Sequence, residues 1–218
     1  ITCASSCAGS DATMILVTGG TGYTGCLLAR RLLAEVEEEV RFLVRPSSDR
    51  SRLPPGAAEV FTGDLTRPRE VAAAFGGVSR IVHLAHIRYT GTLVECLAGS
   101  VDHVVLVSSL RRFSQVRSAS VEEVLRGEEC ALDSRMPCTI LRPSMIFGPG
   151  NDRNISRLAA HLSRIRCIPI FGSGRHLQQP VFVDDVVGAI LASLARARGV
   201  RIPLKPCTQA LIQCLQEH

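Results

Sequence analysis

Short apolar runs alternate along the chain with longer stretches in which apolar residues recur every third or fourth position. The runs fall at 15–18, 40–44, 59–62, 80–84, 103–108 and 138–141 and are rich in Val, Ile and Leu. A strand covered on both faces reads this way, because neither side of it meets water. Between the runs lie helical patterns at 23–37, 68–75, 92–98 and 118–134. Strand, helix and strand repeated in order predict an α/β fold built on a doubly wound parallel sheet with right-handed crossovers. After Leu141 the regularity loosens: 154–164 reads as a helix, 167–171 as a strand and 183–196 as an apolar helix, before a short amphipathic tail.

Composition narrows the function classes. The chain has 218 residues, 46% hydrophobic and 21% charged, enough for a packed core and too apolar for general disorder. It has no run of about 18 apolar residues, so no membrane-spanning helix is expected. Aromatics are 4%, Trp is absent, and the net charge of +5 comes from scattered basic residues, which argues against a nucleic-acid surface. The nine cysteines include no CxxC pair, so no metal site is expected. Several lie in apolar runs and read as small buried hydrophobes in a reducing compartment, hence a cytoplasmic protein. Residues 1–13 are small and polar and lack the pattern of a signal peptide, whereas Met14 opens directly into the first strand. The natural start is therefore expected at Met14, with 1–13 a disordered leader or added upstream sequence.

The first strand runs into Thr18-Gly19-Gly20-Thr21-Gly22-Tyr23-Thr24-Gly25 and then into the first helix. A glycine-rich turn between strand and helix suits a diphosphate, which must lie against backbone N–H groups at the positive end of the helix. Side chains at Gly19 and Gly22 would hold it away, and Gly25 lets the helix pack on the sheet. Thr21, Tyr23 and Thr24 fall in the same turn. This makes 14–150 a dinucleotide-binding domain of Rossmann-like type and leaves 151–218 as a partial substrate-side region.

The end of the second strand separates the two nicotinamide dinucleotides. An acidic residue there would take the ribose hydroxyls of NAD(H), but Arg45 stands 20 residues past Gly25. A guanidinium, helped by Ser47, Ser48 or Arg50, suits a 2′-phosphate, so NADP(H) is expected over NAD(H). After the third strand, Asp64 could accept from adenine or cap the next helix, and Leu65 follows it. The fourth strand ends in His83-Leu84-Ala85-His86, at the carboxyl edge where such sheets bind ligands. Ala85 would let a cofactor approach closely. Neither histidine has a partner in the sequence that would make it a ligand or a base.

These stretches, with Val107-Ser108-Ser109, the segment from Leu141-Arg142-Pro143 to Gly148-Pro149-Gly150, and Pro180-Val181-Phe182-Val183-Asp184-Asp185, resemble the extended and atypical short-chain dehydrogenases/reductases. The resemblance is to the NAD-dependent epimerase/dehydratase branch in particular. It implies that Ser109 holds the substrate oxygen and that Pro143 lines the nicotinamide side. It also implies a tyrosine four residues before a lysine. Matching Glu128 to the family's glutamate four residues past that lysine puts Val124 at the lysine position and Ser120 at the tyrosine position. Lys205 is the only lysine, far downstream, so the pair is missing.

Other groups must then act at the reacting carbonyl. Ser109 and Ser120 are candidates, and Arg142, like Arg111 and Arg112, could bind an anion or polarise a carbonyl. Asp184 or Asp185 reads as a helix N-cap. The family continues well beyond the point matched by Ala197, whereas about 20 residues follow it here, so the C-terminal substrate region reads as truncated. Two functions stay open. One is an NAD(P)-dependent oxidoreductase or nucleotide-sugar-modifying enzyme, working on a small-molecule substrate and paired as a homodimer. The other is a non-catalytic NAD(P)H-binding sensor or complex-assembly module.

Overall fold

The computed structural model describes residues 13–57, 59–97, 101–150, 152, 155–165, 167, 179–196 and 212–214. The leader at 1–12, nearly all of the strand expected at 167–171 and most of the tail lie outside the described residues.

Six strands form the expected parallel sheet: β1 (Met14–Thr18), β2 (Glu39–Val44), β3 (Glu59–Thr62), β4 (Val78–His83), β5 (His103–Val107) and β6 (Cys138–Leu141). Their order is β3-β2-β1-β4-β5-β6, so the winding reverses between β1 and β4. Two short strands, β7 (Ile146–Phe147) and β8 (Val181–Phe182), pair in a separate parallel ribbon. β9 (Ile212–Cys214) adds an antiparallel edge to β6. The sequence pattern assigns no strand at these three places, because two or three residues are too few to show a period.

The helices are α1 (Tyr23–Glu35), α2 (Pro68–Val71), α3 (Thr90–Cys96), α4 (Ala119–Asp133), α5 (Ile155–Arg164) and α6 (Val183–Arg196). Alternation along each strand feeds two cores. Ile15 and Val17 of β1, with Phe42, Val82 and Val105, pack under α1 and α6 through Leu28, Leu32, Val187 and Ile190. Leu16, Leu43, Ile81 and Leu106 face the other way, onto α2, α3 and α4 through Val71, Leu93 and Val124. Helix α6 thus completes the same layer as α1. Asp184 and Asp185 occupy its first turn, two and three positions past the cap, and not the cap position expected for them. There they still complement the positive end of the helix.

Candidate functional site

The carboxyl ends of the parallel strands open onto a cleft of about 1400 Å3 where the strand order reverses, the place where open sheets of this kind take ligands. The turn after β1 forms one wall. Gly19 sits at φ +76°, and a Cβ there would lie 2.7 Å from the amide nitrogen of Ala85. Gly22 caps α1 in an extended conformation, donates its N–H to the Gly19 carbonyl at 3.0 Å and offers no side-chain cap. Tyr23, Thr24 and Gly25, in the first turn of α1, line the cleft with Thr21, and no acidic side chain stands in that turn. The orphan amides and positive end of α1 therefore face the cleft uncompensated. A Cβ on Gly25 would overlap the Gly19 carbonyl oxygen. These residues fit the diphosphate of a dinucleotide: the anion meets backbone donors where side chains would close the space.

The opposite wall is the turn after β4, held by hydrogen bonds that the sequence did not reveal. His83 is fully buried. Its Nδ1 accepts from the Thr18 hydroxyl at 2.7 Å and its Nε2 faces the His86 carbonyl oxygen at 3.3 Å. The Thr18 oxygen in turn accepts from the Ala85 N–H at 3.4 Å. One neutral tautomer, protonated at Nε2, satisfies the whole chain. It sets Leu84, Ala85 and His86 against the glycine turn, where all three line the cleft.

Burial holds the His83 pKa down at about 4, against an ordinary value of 6.5. The unfolded chain therefore takes up a proton below pH 6.5 that the folded protein refuses until about pH 4. The His83 contribution to stability should fall across that window by ~3 kcal/mol and level off beneath it, where carboxylates held low, such as Asp64, take over the loss. Urea melts across that pH range are expected to show this slope, and His83→Gln is expected to flatten it. An equal slope in the variant would disprove the assignment.

Around the adenosine end, Arg45, Ser47 and Ser48 form a turn at the cleft mouth, closed by a bond from the Ser48 N–H to the Arg45 carbonyl at 2.9 Å. Arg50, expected to help them, donates instead to the Thr62 hydroxyl, and Arg52 lines the cleft in its place. Asp64 accepts from the Thr66 N–H at 2.8 Å, which holds its carboxyl below the ordinary range. Asp64 and Leu65 both line the cleft, so capping and cofactor contact are compatible for Asp64.

At the other end stand Ser109 and Pro143. Ser109 Oγ accepts from the Arg111 N–H at 3.2 Å, which leaves its own hydrogen for an acceptor in the cleft. Val124 lines the cleft where the family resemblance places a lysine. Ser120 is not among the lining residues; its Oγ accepts from Arg111 Nη1 at 2.6 Å, and Arg111 itself reaches the cleft.

Arg142 departs from its expected role. Its Nε and Nη2 donate to the Glu128 carboxylate at 3.0 and 2.8 Å, and it is not among the lining residues. Glu128 is fully buried, also takes the Ser108 hydroxyl, and lies 2.9 Å from Arg112. Arg142 therefore braces the floor of the site and does not present a free charge to a substrate. Burial and the carboxylates of Asp152 and Asp184 push the Tyr23 phenol up, which keeps it protonated and no substitute for the missing base. Asp152, which sequence reasoning did not single out, also lines the cleft.

A family model described as NAD(P)H-binding matches residues 19–158, and the NAD dependent epimerase/dehydratase family model matches 125–203. The 2-alkyl-3-oxoalkanoate reductase of Stenotrophomonas maltophilia is 27% identical over 85% of this chain and 66% of its own length. Human short-chain dehydrogenase/reductase family 42E member 1 is 24% identical over 85% of this chain and 59% of its own. The chain thus spans about three-fifths of the length of such curated relatives. In fold it is similar to UDP-glucuronic acid 4-epimerase of Bacillus cereus, solved with UDP-glucuronic acid and NAD, with a TM-score of 0.67, 19% identity, and coverage of 84% of this chain and 73% of that one. Among the described residues no helix is long and apolar enough to cross a membrane.

Proposed function

Since the chain belongs to the NAD(P)H-binding family and carries an epimerase/dehydratase-like Rossmann fold of the atypical short-chain dehydrogenase/reductase kind, we propose that it is an oxidoreductase that reduces a carbonyl group without a Tyr–Lys pair. One observation carries this reading: a single cleft runs from the open amides of α1 to the hydroxyl of Ser109. A dinucleotide held on the first leaves its nicotinamide beside the second. When bound, the reduced nicotinamide supplies a hydride. The chain's own residues bind, orient and polarise. Gly19, Gly22 and the first turn of α1 hold the diphosphate, Ala85 and Pro143 flank the ring, and Ser109 donates to the substrate oxygen. The substrate is a small carbonyl compound, with nucleotide sugars among the candidates.

The reading includes a preference for NADP(H), through Arg45 with Ser47, Ser48 and Arg52. Arg45→Ser is expected to weaken NADPH binding about tenfold or more, the loss of a charge-assisted bond. NADH binding should change by less than about twofold. Fluorescence titration of both cofactors checks it, and equal losses would remove the preference.

A second reading, a cofactor-sensing or assembly module, draws on Val124 and Ser120 at the two positions the family uses for chemistry. It also draws on a similarity to a subunit of Arabidopsis thaliana NADH dehydrogenase [ubiquinone], subunit 9 of its 1 alpha subcomplex, which is 30% identical over 57% of this chain. The two readings part in one experiment. NADPH is mixed with the protein and a panel of nucleotide sugars, quinones, oxo acids and aldehydes, and its absorbance is followed. Turnover supports the enzyme; tight NADPH binding with no turnover anywhere in the panel supports the module.

A further inference from the structure

Three arginines stand near the Ser109 end of the cleft as candidates to bind an anion, and the fold sorts them by their partners. Arg142 and Arg112 share the buried Glu128 carboxylate. Arg88, on the turn after β4, is paired with Glu123 at 3.1 Å. Arg111 differs. It lines the cleft, and among the described residues its side chain makes one hydrogen bond, from Nη1 to Ser120 Oγ at 2.6 Å, and no ion pair. A guanidinium has five N–H donors, so four remain.

No carboxylate stands beside it on the cleft wall, because neither 84–89 nor 107–111 contains an acidic residue. The acidic lining residues face other groups: Asp49 stands by Arg52, Asp64 by Arg45, and Asp152 by Tyr23. His86 adds little charge at neutral pH. Burial foremost lowers its pKa from 6.5, Glu123 opposes, and Arg88 and Arg111 lower it further. The carbonyl end of the cleft is therefore positive, and Arg111 is where that charge meets the open space.

The mounting is specific. Ser109 caps the 3-10 turn Leu110–Phe113, its Oγ accepting the Arg111 N–H at 3.2 Å. One turn thus carries both the hydroxyl that meets the substrate oxygen and the guanidinium two residues on. Ser120, in the first turn of α4, holds Nη1. That leaves the Nε–Nη2 edge, the planar fork that takes both oxygens of a carboxylate.

We propose that Arg111 binds a carboxylate of the substrate, that Ser120 is its positioning residue, and that the substrate class is therefore the 2-oxo or 3-oxo acids. The inference rests on the oxidoreductase reading above and narrows it. A carboxylate on Arg111 sets the neighbouring carbonyl against Ser109, so binding at a group that does not react orients the one that does. Nucleotide sugars carry their charge on a diphosphate remote from the ring carbonyl, and simple aldehydes and quinones carry none, so neither class uses this pairing.

Binding to the protein loaded with NADP+ tests this without turnover, since the oxidised cofactor has no hydride to give. Pyruvate, 2-oxobutyrate, acetoacetate and 3-oxohexanoate, each beside its methyl ester, and UDP-glucose are titrated by calorimetry. At least one acid is expected to bind about tenfold or more tighter than its ester. Arg111→Gln should erase that ratio, and Arg111→Lys should restore part of it, because the charge returns without the fork. NADP+ affinity should match the parent in both. Ser120→Ala should lower the ratio several-fold and leave ester and NADP+ binding unchanged, a split that a misfolded variant would not give. Acid and ester bound alike, no acid bound by the parent protein, a ratio that survives Arg111→Gln, or UDP-glucose bound in preference to every acid overturns the proposal. A ratio unmoved in Ser120→Ala overturns the positioning role. With NADPH in place of NADP+, turnover of none of the acids that bind would overturn the oxidoreductase reading and leave the carboxylate site itself standing.

Discussion

Gly25→Ala should abolish measurable binding of either nicotinamide dinucleotide, a loss of at least about a hundredfold. The added Cβ would overlap the Gly19 carbonyl oxygen and lie 2.8 Å from both the Cα and the carbonyl carbon of Gly20. All three are backbone atoms, so no side chain can swing aside. Either α1 or the turn after β1 must move, and the turn is pinned from behind by Thr18, Ala85 and His83. The first-turn amides then leave their line to the diphosphate. Each charge-assisted bond contributes ~1.5–3 kcal/mol, so two lost bonds already exceed a hundredfold. Gly56→Ala is the matched control. Gly56, unlike Gly25, has a positive φ, +99°, but nothing lies within 4 Å of its Cβ position. It should lose ~1 kcal/mol of stability to the left-handed backbone and keep full affinity. Fluorescence or calorimetric titration reads both, and parent-like affinity in Gly25→Ala would refute the diphosphate cradle.

That glycine turn was also the most legible part of the sequence, because one short segment carries all of its demand: strand, close backbone approach, helix. The sheet was legible for a similar reason. Strands buried on both faces are written as unbroken apolar runs, and the expected and observed bounds of β3 and β6 coincide. What stayed hidden depends on residues brought together by packing. His83 looked isolated, yet Thr18 and His83 are direct partners in the register of β1 and β4. Two strand ends aligned on paper would have suggested that bond. Glu123, whose Oε2 lies 3.7 Å from Nε2 of His86, gave no such hint, because that approach follows from how closely α4 rests on the backbone of Ile87. The one trace was Gly127, a glycine in the middle of a helix, where it weakens the helix unless another backbone needs the room. Arg142 was misread for a physical reason too. Its position at the end of β6 suggested a charge offered to the cleft, but the buried carboxylate 14 residues earlier claims it.

That carboxylate underlies the second large effect. Glu128→Ala is expected to destabilise the protein by ~3–5 kcal/mol, a large share of the 5–15 kcal/mol typical of a domain. Glu128 has no exposed surface, and the Arg142 side chain is 10% exposed. Removal of the carboxylate takes from the Arg142 guanidinium its hydrogen bonds to Glu128, and from Arg112 the carboxylate 2.9 Å away, in a site closed to water. Ser108 loses its acceptor at the same time. At ~2–4 °C per kcal/mol, Tm should drop by about 10 °C. Replacement of both partners, Glu128→Met with Arg142→Met, removes one of the two guanidiniums that the carboxylate holds and should recover part of the loss, because a buried ion pair contributes little net stability over a well-packed apolar pair; Arg112 keeps the rest of the deficit. Function follows from the same geometry. Glu128 ties α4 to the ends of β5 and β6, and therefore ties Val124 and Glu123 to Ser109 and Pro143. In the double variant, with stability partly restored, NADPH affinity should recover, since the diphosphate cradle lies on the other side of the cleft, and on the oxidoreductase reading kcat should remain depressed. Thermal melts and cofactor titrations on the single and double variants decide it. A single variant as stable as the parent would mean that the Glu128 cluster does not hold the floor of this site.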